Sequence, residues 1–308
     1  MDREQEDMQF LGLFGIFLES YKIIFNFRTI FSKISLAFIL PLSLIFLANI
    51  AISDSLSSEG AAYWLIVEFV YLTLFLVFSV LSTSAVVYTV ASVFTDTGHD
   101  VTFGKVMRVV PMVWKRLIVT FLCAFLAIFL YVVVLGVPIY LWIVTTKHVY
   151  IATLVHFLAI GILYVMGLVY MTLVWQLAGV ISVLEDIKGI KAMNKSKNLM
   201  QGKMWIAIII LFKLYFAVFG IRILFKSQVV HNGTFGVVGR FAFGFLCLLM
   251  IFSVFLFGFV IETVIYFVCK SYHHENIDKS SLSDLLEDYQ GEYIPTKAND
   301  GQLEKLNV

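Results

Sequence analysis

The chain of 308 residues is 60% hydrophobic and 14% charged, whereas about a quarter of the residues in a soluble domain are charged. This composition excludes a soluble globular protein and indicates an integral membrane protein. The formal net charge is +1, and the basic residues flank apolar segments rather than forming a solvated patch, which argues against nucleic-acid binding.

The amino-terminal segment is the first predicted element. It reads MDREQEDMQF and is acidic, whereas a secretory signal peptide begins with basic residues, and no small-residue cleavage site follows. We therefore expect an uncleaved first span to target the protein. The residues from there to position 33 are apolar with scattered Lys22, Arg28 and Lys33, which favours a helix at the membrane interface. Residues 1–33 are thus predicted to be a cytosolic amino terminus with an interfacial helix.

Six apolar segments follow, each with the roughly 20 residues that a helix needs to cross a bilayer. They lie at about 34–53, 61–94, 117–144, 149–184, 204–225 and 241–269. At about 1.5 Å per residue the second and fourth exceed the hydrocarbon core of about 30 Å, so these helices must tilt, kink or project from it. Pro41 and Pro138 should kink the first and third spans. The sequence predicts an all-α polytopic protein with a membrane domain over 34–269.

The lysines and arginines in short loops predict the orientation. They concentrate before the first span, between spans two and three, and between spans four and five, and the positive-inside rule places these three segments and both termini in the cytosol. Asn232, in an Asn-Gly-Thr sequon, is a glycosylation candidate on the opposite side. We expect the endoplasmic reticulum or another endomembrane, with the plasma membrane as the alternative.

Two of these basic segments are also amphipathic. In the first, one helical face carries Phe103, Val106, Val110, Trp114 and Leu117. In the second, Ile187, Ile190, Met193 and Met200 lie opposite Lys188, Lys191 and Lys195. The predicted contacts with anionic cytosolic lipids are Lys105, Arg108, Lys115, Arg116, Lys188, Lys191, Lys195, Lys197 and Lys203. The alternative is that these loops merely obey the positive-inside rule.

The amphipathic segments also suggest an internal repeat. Phe31, Trp114 and Trp205 occupy similar places just ahead of spans one, three and five. We infer three units, each an interfacial helix followed by a helical hairpin, with the long second and fourth spans as returning arms.

Residues 175–205 carry a family resemblance. They read WQLAGVISVLEDIKGIKAMNKSKNLMQGKMW, which resembles a signature of six-span proteins that include the membrane domain of some bacterial glycerophosphodiester phosphodiesterases and the YciC-like proteins. The matching positions are Glu185, Ala192, Ser196, Leu199, Gly202 and Lys203. The segment QFLGLFGIFLESYKIIFNFRTIFSKISLAFILPLSLIFL is similar to a family of uncharacterised plant six-span proteins, and that likeness extends over most of the chain except the tail. The phosphodiesterase catalytic domain is missing from this sequence, so the resemblance implies no enzymatic activity.

Four polar residues lie inside apolar spans. A carboxylate there is a functional-site candidate by default, which singles out Glu68 and Glu262, and Gln176 and His156 are the other candidates. Each glutamate is about two turns from a span end, so we prefer anchoring or interhelical hydrogen bonds over an ion or proton pathway. No catalytic motif appears, and the spacing of Cys123, Cys247 and Cys269 indicates neither a disulfide framework nor a metal site. We therefore predict a protein that is not an enzyme and has no cofactor.

The tail, residues 270–308, is acidic and predicted to be a mostly disordered cytosolic segment. Within it, 280–290 has the pattern of a short amphipathic helix that docks a protein partner or folds back on the basic loops. The preferred hypothesis is a non-enzymatic endomembrane organiser or scaffold that contacts anionic lipid and recruits partners. The alternative is a transporter of a small solute or lipid that uses Glu68 and Glu262.

Overall fold

The computed structural model describes residues 10–55, 61–94, 102–145, 151–185, 187–230 and 236–273, and every regular element in these ranges is helical. In chain order the α-helices are α1 (Leu13–Asn26), α2 (Arg28–Ile34), α3 (Leu40–Ser55), α4 (Ala61–Phe94), α5 (Phe103–Tyr131), α6 (Val137–Thr145), α7 (Ile151–Leu184), α8 (Ile190–Leu199), α9 (Met204–Phe225) and α10 (Val237–Tyr272). Asn232 and the segment 280–290 lie outside the described residues, as does the side chain of His156.

Six helical stretches are long and apolar enough to cross a membrane. They are Arg28–Ser53, Tyr63–Phe94, Phe103–Trp142, Leu158–Leu184, Met204–Val230 and Val238–Tyr272. Consecutive spans pack in pairs, α3 on α4, α5 on α7 and α9 on α10, which gives three hairpins. The predicted all-α polytopic fold with six spans is confirmed, and the protein is an integral membrane protein.

Two prolines coincide with a change of helix type. The backbone forms π-helical turns at Ser35–Ile39 and Val132–Gly136, and each turn ends two residues before a proline, Pro41 and Pro138. A proline ring crowds the carbonyl group four residues earlier, and the wider π turn relieves this crowding. Pro111, by contrast, lies inside α5 without interrupting that helix.

The second, fourth and sixth spans form the centre of the bundle. Helices α4, α7 and α10 contain 34, 34 and 36 residues and contact one another pairwise. Towards the end that carries the lysine-rich loops, which we call the basic end, their side chains are almost all buried, as at Val86, Ile181 and Val264. Their other halves are largely exposed, as expected for surfaces that face lipid.

A layer of amphipathic helices surrounds this buried end, and we call it the collar. It consists of α1 packed on α10, residues 103–117 of α5 packed on α4 and α7, and α8 packed on α7 and α5. The three predicted amphipathic helices are therefore present, but the second continues into the third span as one helix; their position at a membrane interface stays a prediction. The collar buries the apolar side chains of the long returning arms at this end.

The apolar faces of the collar are covered by protein. Val106, Val110 and Leu117 are buried as a face, in agreement with the predicted pattern. In α8 the predicted stripe is split: Met200 is buried, but Ile190 is 76% exposed. The buried face of α8 is instead formed by Ala192, Ser196 and Leu199. The sequence pattern correctly located the amphipathic helices but misassigned the packed face of α8.

Candidate functional site: a central cavity beneath the collar

A cavity of about 330 Å³ lies inside the bundle, and all six spans contribute to its wall. It is lined by Leu42, Phe46, Phe75, Ser79, Thr83, Phe121, Thr172, Trp175, Gln176, Leu211, Leu214, Tyr215, Val218, Val254, Phe255, Gly258, Phe259 and Glu262. The cavity thus lies where the buried basic end of the bundle gives way to the lipid-facing half.

The three central helices each contribute polar groups to the cavity. Thr83 comes from α4, Thr172 and Gln176 from α7, and Glu262 from α10. Thr83, Gln176 and Glu262 each lie about two to three turns from the basic end of their helix. The two intramembrane candidates Gln176 and Glu262, which are distant in sequence, therefore share one site.

Several of these polar groups have no protein partner. Among the described residues, no hydrogen bond or ion pair involves the side chain of Gln176 or Glu262. The indole N–H of Trp175 is buried and also lacks an acceptor within the described ranges. Buried polar groups are nearly always hydrogen-bonded, so Gln176 and Glu262, both in the wall of one cavity, indicate a place for a ligand or water.

Aromatic rings form much of the remaining wall. Phe255 meets Phe46 and Phe75 edge to face, with ring centroids 5.6 and 6.4 Å apart. Trp175 meets Phe121 in the same way at 5.5 Å. The cavity therefore combines an apolar, aromatic wall with a small number of polar groups, which is the usual composition of a small-molecule site.

Glu68 lies outside this cavity. Its carboxylate accepts a hydrogen bond from Asn49 Nδ2 at 3.2 Å, which joins the second span to the first. The two intramembrane glutamates, which looked alike in sequence, thus have different environments. Glu68 has the interhelical hydrogen bond that we preferred for both residues, whereas Glu262 faces the cavity.

A second polar cluster lies at the basic end, around Glu185. Its carboxylate forms ion pairs with Lys195 Nζ at 2.6 Å and Lys270 Nζ at 3.6 Å. It also accepts a hydrogen bond from the Tyr266 hydroxyl at 2.9 Å. Lys270 also donates to the Tyr266 hydroxyl at 3.3 Å. The cluster joins α8 and α10 to the end of α7, and Tyr266 and Lys270 are partners that sequence reasoning did not identify.

Helix α8 is fixed to the bundle by buried hydroxyl groups. The backbone N–H of Gly189, at φ +63°, donates to the Thr120 hydroxyl at 2.9 Å, and Ser196 donates to the carbonyl of Val174 at 2.9 Å. Gly202 has φ +90°, and a Cβ atom there would overlap the ring of Tyr272. These contacts give the signature residues of segment 175–205 a structural role.

Comparison with known proteins identifies the family. A family model described as "Domain of unknown function (DUF8558)" matches residues 1–59 and 51–306. The chain belongs to this family. No curated protein and no solved structure matches the chain. The expected membership of an uncharacterised family is thus confirmed, while the likeness to the phosphodiesterase membrane domain and the YciC-like proteins stays a prediction.

The basic residues proposed to contact lipid differ in exposure. Arg108, Lys115, Lys188, Lys191 and Lys197 are exposed, whereas Lys105, Arg116, Lys195 and Lys203 are partly buried. Lys195 binds Glu185, and Lys203 Nζ lies 5.3 Å from the centroid of the Tyr272 ring. A further lysine, Lys213 in α9, was not anticipated, and its Nζ lies 5.8 Å from the ring centroids of both Phe14 and Phe17 in α1.

Proposed function

We propose that this protein is a non-enzymatic membrane carrier that binds a small, largely apolar solute or lipid in the central cavity. The observation that carries the proposal is the pair of unpartnered polar side chains, Glu262 and Gln176, in the wall of one aromatic cavity. Its volume of about 330 Å³ lies within the range of known ligand pockets, about 300–1,000 Å³. The described residues that line the cavity include one carboxyl group and no histidine, cysteine or lysine, which supports a role in binding rather than in catalysis.

The cavity is also the reason why we prefer the carrier over the scaffold favoured by sequence. A carrier needs a membrane-embedded site with unsatisfied polar groups, and Glu262 supplies one. The other proposed transport residue, Glu68, has Asn49 as a partner and is assigned a structural role.

A lipid-contacting organiser is the second candidate. Lys188, Lys191 and Lys197 are exposed at the basic end, and Ile190 and Trp205 nearby in the chain are 76% and 73% exposed. Basic and apolar side chains combined in this way suit the headgroup region of an anionic membrane. If the protein is an organiser of this kind, replacing the three lysines should impair its function, whereas filling the cavity should leave its function unchanged.

The test of the carrier is to fill the cavity by Gly258→Leu. Gly258 lines the cavity, and a Cβ atom there would make only one ordinary contact, with Leu214 Cδ1 at 3.9 Å. The backbone therefore has room for a larger residue at this position. Gly220→Leu is the matched control, because Gly220 is also in a span but lines a different, lipid-facing groove. Both variants and the wild type are purified in mild detergent, and co-purifying small molecules are identified by mass spectrometry.

We expect one class of small molecule to accompany the wild type and Gly220→Leu and to be lost from Gly258→Leu. Reconstituted vesicles should then show flux of that molecule with the same dependence on Gly258. Equal retention in all three proteins, or no enrichment over an unrelated membrane protein, would contradict the carrier.

A further inference from the structure

The charge balance of the cavity indicates what kind of molecule it binds. Among the described residues that line the cavity, Glu262 has the one carboxyl group, and none is a lysine or an arginine. Lys213, in the same part of the fifth span as the lining residues Leu211 and Leu214, is directed instead to Phe14 and Phe17 of α1. A carboxyl group away from water is costly unless it is paired or hydrogen-bonded, so the cavity favours an occupant that provides the missing partner.

The aromatic wall favours the same kind of occupant. Five phenylalanines and one tryptophan line the cavity, and the face of an aromatic ring attracts a cation. Attraction of this kind is stronger where water is excluded. The wall would therefore favour a positively charged or basic group over an acidic one.

We propose that the ligand is an amine, a molecule with one basic nitrogen on an apolar or aromatic body, which binds with its nitrogen at Glu262. This inference rests on the proposed function and specifies its substrate class. Ammonium with carboxylate, or neutral amine with carboxylic acid, gives a complex without net charge, so the pair is compatible with the membrane interior in either proton arrangement. The side-chain amide of Gln176, also in the lining, provides hydrogen bonds for a second polar group of the ligand.

The same lining disfavours acidic ligands. A fatty acid or a phosphate-bearing lipid headgroup would bring negative charge towards Glu262, and the cavity wall offers no lysine or arginine to balance it. Sites for such anions are instead built from arginine, lysine or backbone N–H groups. The charge of the ligand is thus the property that separates the proposal from its alternatives.

The experiment compares three probes of similar size: 4-phenylbutylamine, 4-phenylbutan-1-ol and 4-phenylbutyric acid. Binding to the full-length protein in lipid nanodiscs is measured by calorimetry. We expect the amine to bind at least about tenfold more tightly than the alcohol, because one charge-assisted hydrogen bond to Glu262 raises the affinity by about that factor. The acid should bind most weakly of the three. Glu262→Gln should abolish the preference for the amine, and Glu262→Asp, which keeps the carboxylate, should retain it.

Glu68→Gln is the matched control, since Glu68 is also an intramembrane carboxylate but lies outside the cavity lining. It should leave the preference unchanged. Equal affinity for amine and alcohol, failure of all three probes to bind, or an amine preference that survives Glu262→Gln would overturn the inference. If the alcohol binds as well as the amine and Gly258→Leu weakens both, the substrate class is wrong while the carrier function stands. If Gly258→Leu has no effect on any bound molecule, the carrier function itself fails.

Discussion

Glu185 lies just after the end of the fourth span, and its carboxylate contacts side chains from two other helices. Its side chain is 16% exposed and contacts Lys195, Tyr266 and Lys270. The acidic residue ends the span because a carboxylate is costly at bilayer depth, and it also joins two helices to that end.

We expect Glu185→Ala to destabilise the protein by about 2 kcal/mol, since hydrogen bonds to a charged group contribute roughly 1.5–3 kcal/mol and the substitution removes the carboxylate that Lys195, Tyr266 and Lys270 contact. Thermal unfolding in detergent should show a lower midpoint. Glu19→Ala is the control, because Glu19 pairs with Lys22 at 3.6 Å on the exposed side of α1. Surface ion pairs of this kind contribute about 0–1 kcal/mol to stability. If both substitutions lowered the unfolding midpoint equally, the Glu185 cluster would contribute no more to stability than a surface pair.

Sequence could identify polar residues within spans but not their surroundings. Glu68 and Glu262 each follow apolar neighbours, and what distinguishes them is Asn49 on another helix in one case and a cavity in the other. The indole N–H of Trp175 gave no signal, because tryptophan is common in apolar helices and its unsatisfied donor is visible only in three dimensions. Partners that lie far apart in the chain, such as Tyr266 for Glu185, were out of reach for the same reason.

At the scale of elements, α1 shows how a collar helix meets three environments. Its buried stripe is Ile16, Ser20 and Ile23, and its exposed aromatic and aliphatic stripe is Phe14, Leu18, Tyr21 and Phe25. Glu19, Lys22 and Asn26 form a polar stripe. These residues recur at helical spacing, so the face that packs on protein and the face that suits lipid lie nearly opposite each other, and the stripe that suits water lies between them on one side.

The apolar periodicity of such helices could be predicted, but what covers each face could not. Burial by protein and burial by lipid select the same apolar side chains, so the face of Val106, Val110 and Leu117 looked equally suited to both. In α8 the packed face uses a small residue and a serine, Ala192 and Ser196, which a search for large apolar residues passes over.

Helix α8 provides the test at this scale. Ser196→Ala removes the buried hydrogen bond to the Val174 carbonyl, which we expect to cost about 1 kcal/mol and to loosen α8 from the bundle. Hydrogen–deuterium exchange should rise over 190–199. Ser253→Ala is the control, since Ser253 is exposed and bonds only within its own helix, to Leu249. Unchanged exchange in Ser196→Ala would show that the hydroxyl contributes little to the attachment.

At the scale of the whole molecule, the number of spans and their pairing followed from the sequence because an apolar stretch of sufficient length admits few alternatives. The boundaries were less accurate. The third span begins at Phe103, earlier than predicted, because the amphipathic segment and the span form one helix.

The orientation of the bundle is a separate prediction. The positive-inside rule places the basic end in the cytosol, so Lys188→Cys should react with a membrane-impermeant maleimide in sealed vesicles whose cytosolic face is outward. Val238→Cys, at the opposite end and 84% exposed, should react only after permeabilisation. Both substitutions are made with Cys123, Cys247 and Cys269 replaced by alanine. The reverse labelling pattern would invert the predicted topology.

The contacts of Glu185 also set an order of events during translation. Lys195 follows shortly after it in the chain, but Tyr266 is 81 residues further on, in the last span. The ribosome must therefore complete the sixth span before this carboxylate acquires its full set of contacts. A nascent chain released before that point lacks the hydroxyl and the second ammonium group through which α10 contacts Glu185. The collar can close only when synthesis of the membrane domain is essentially finished.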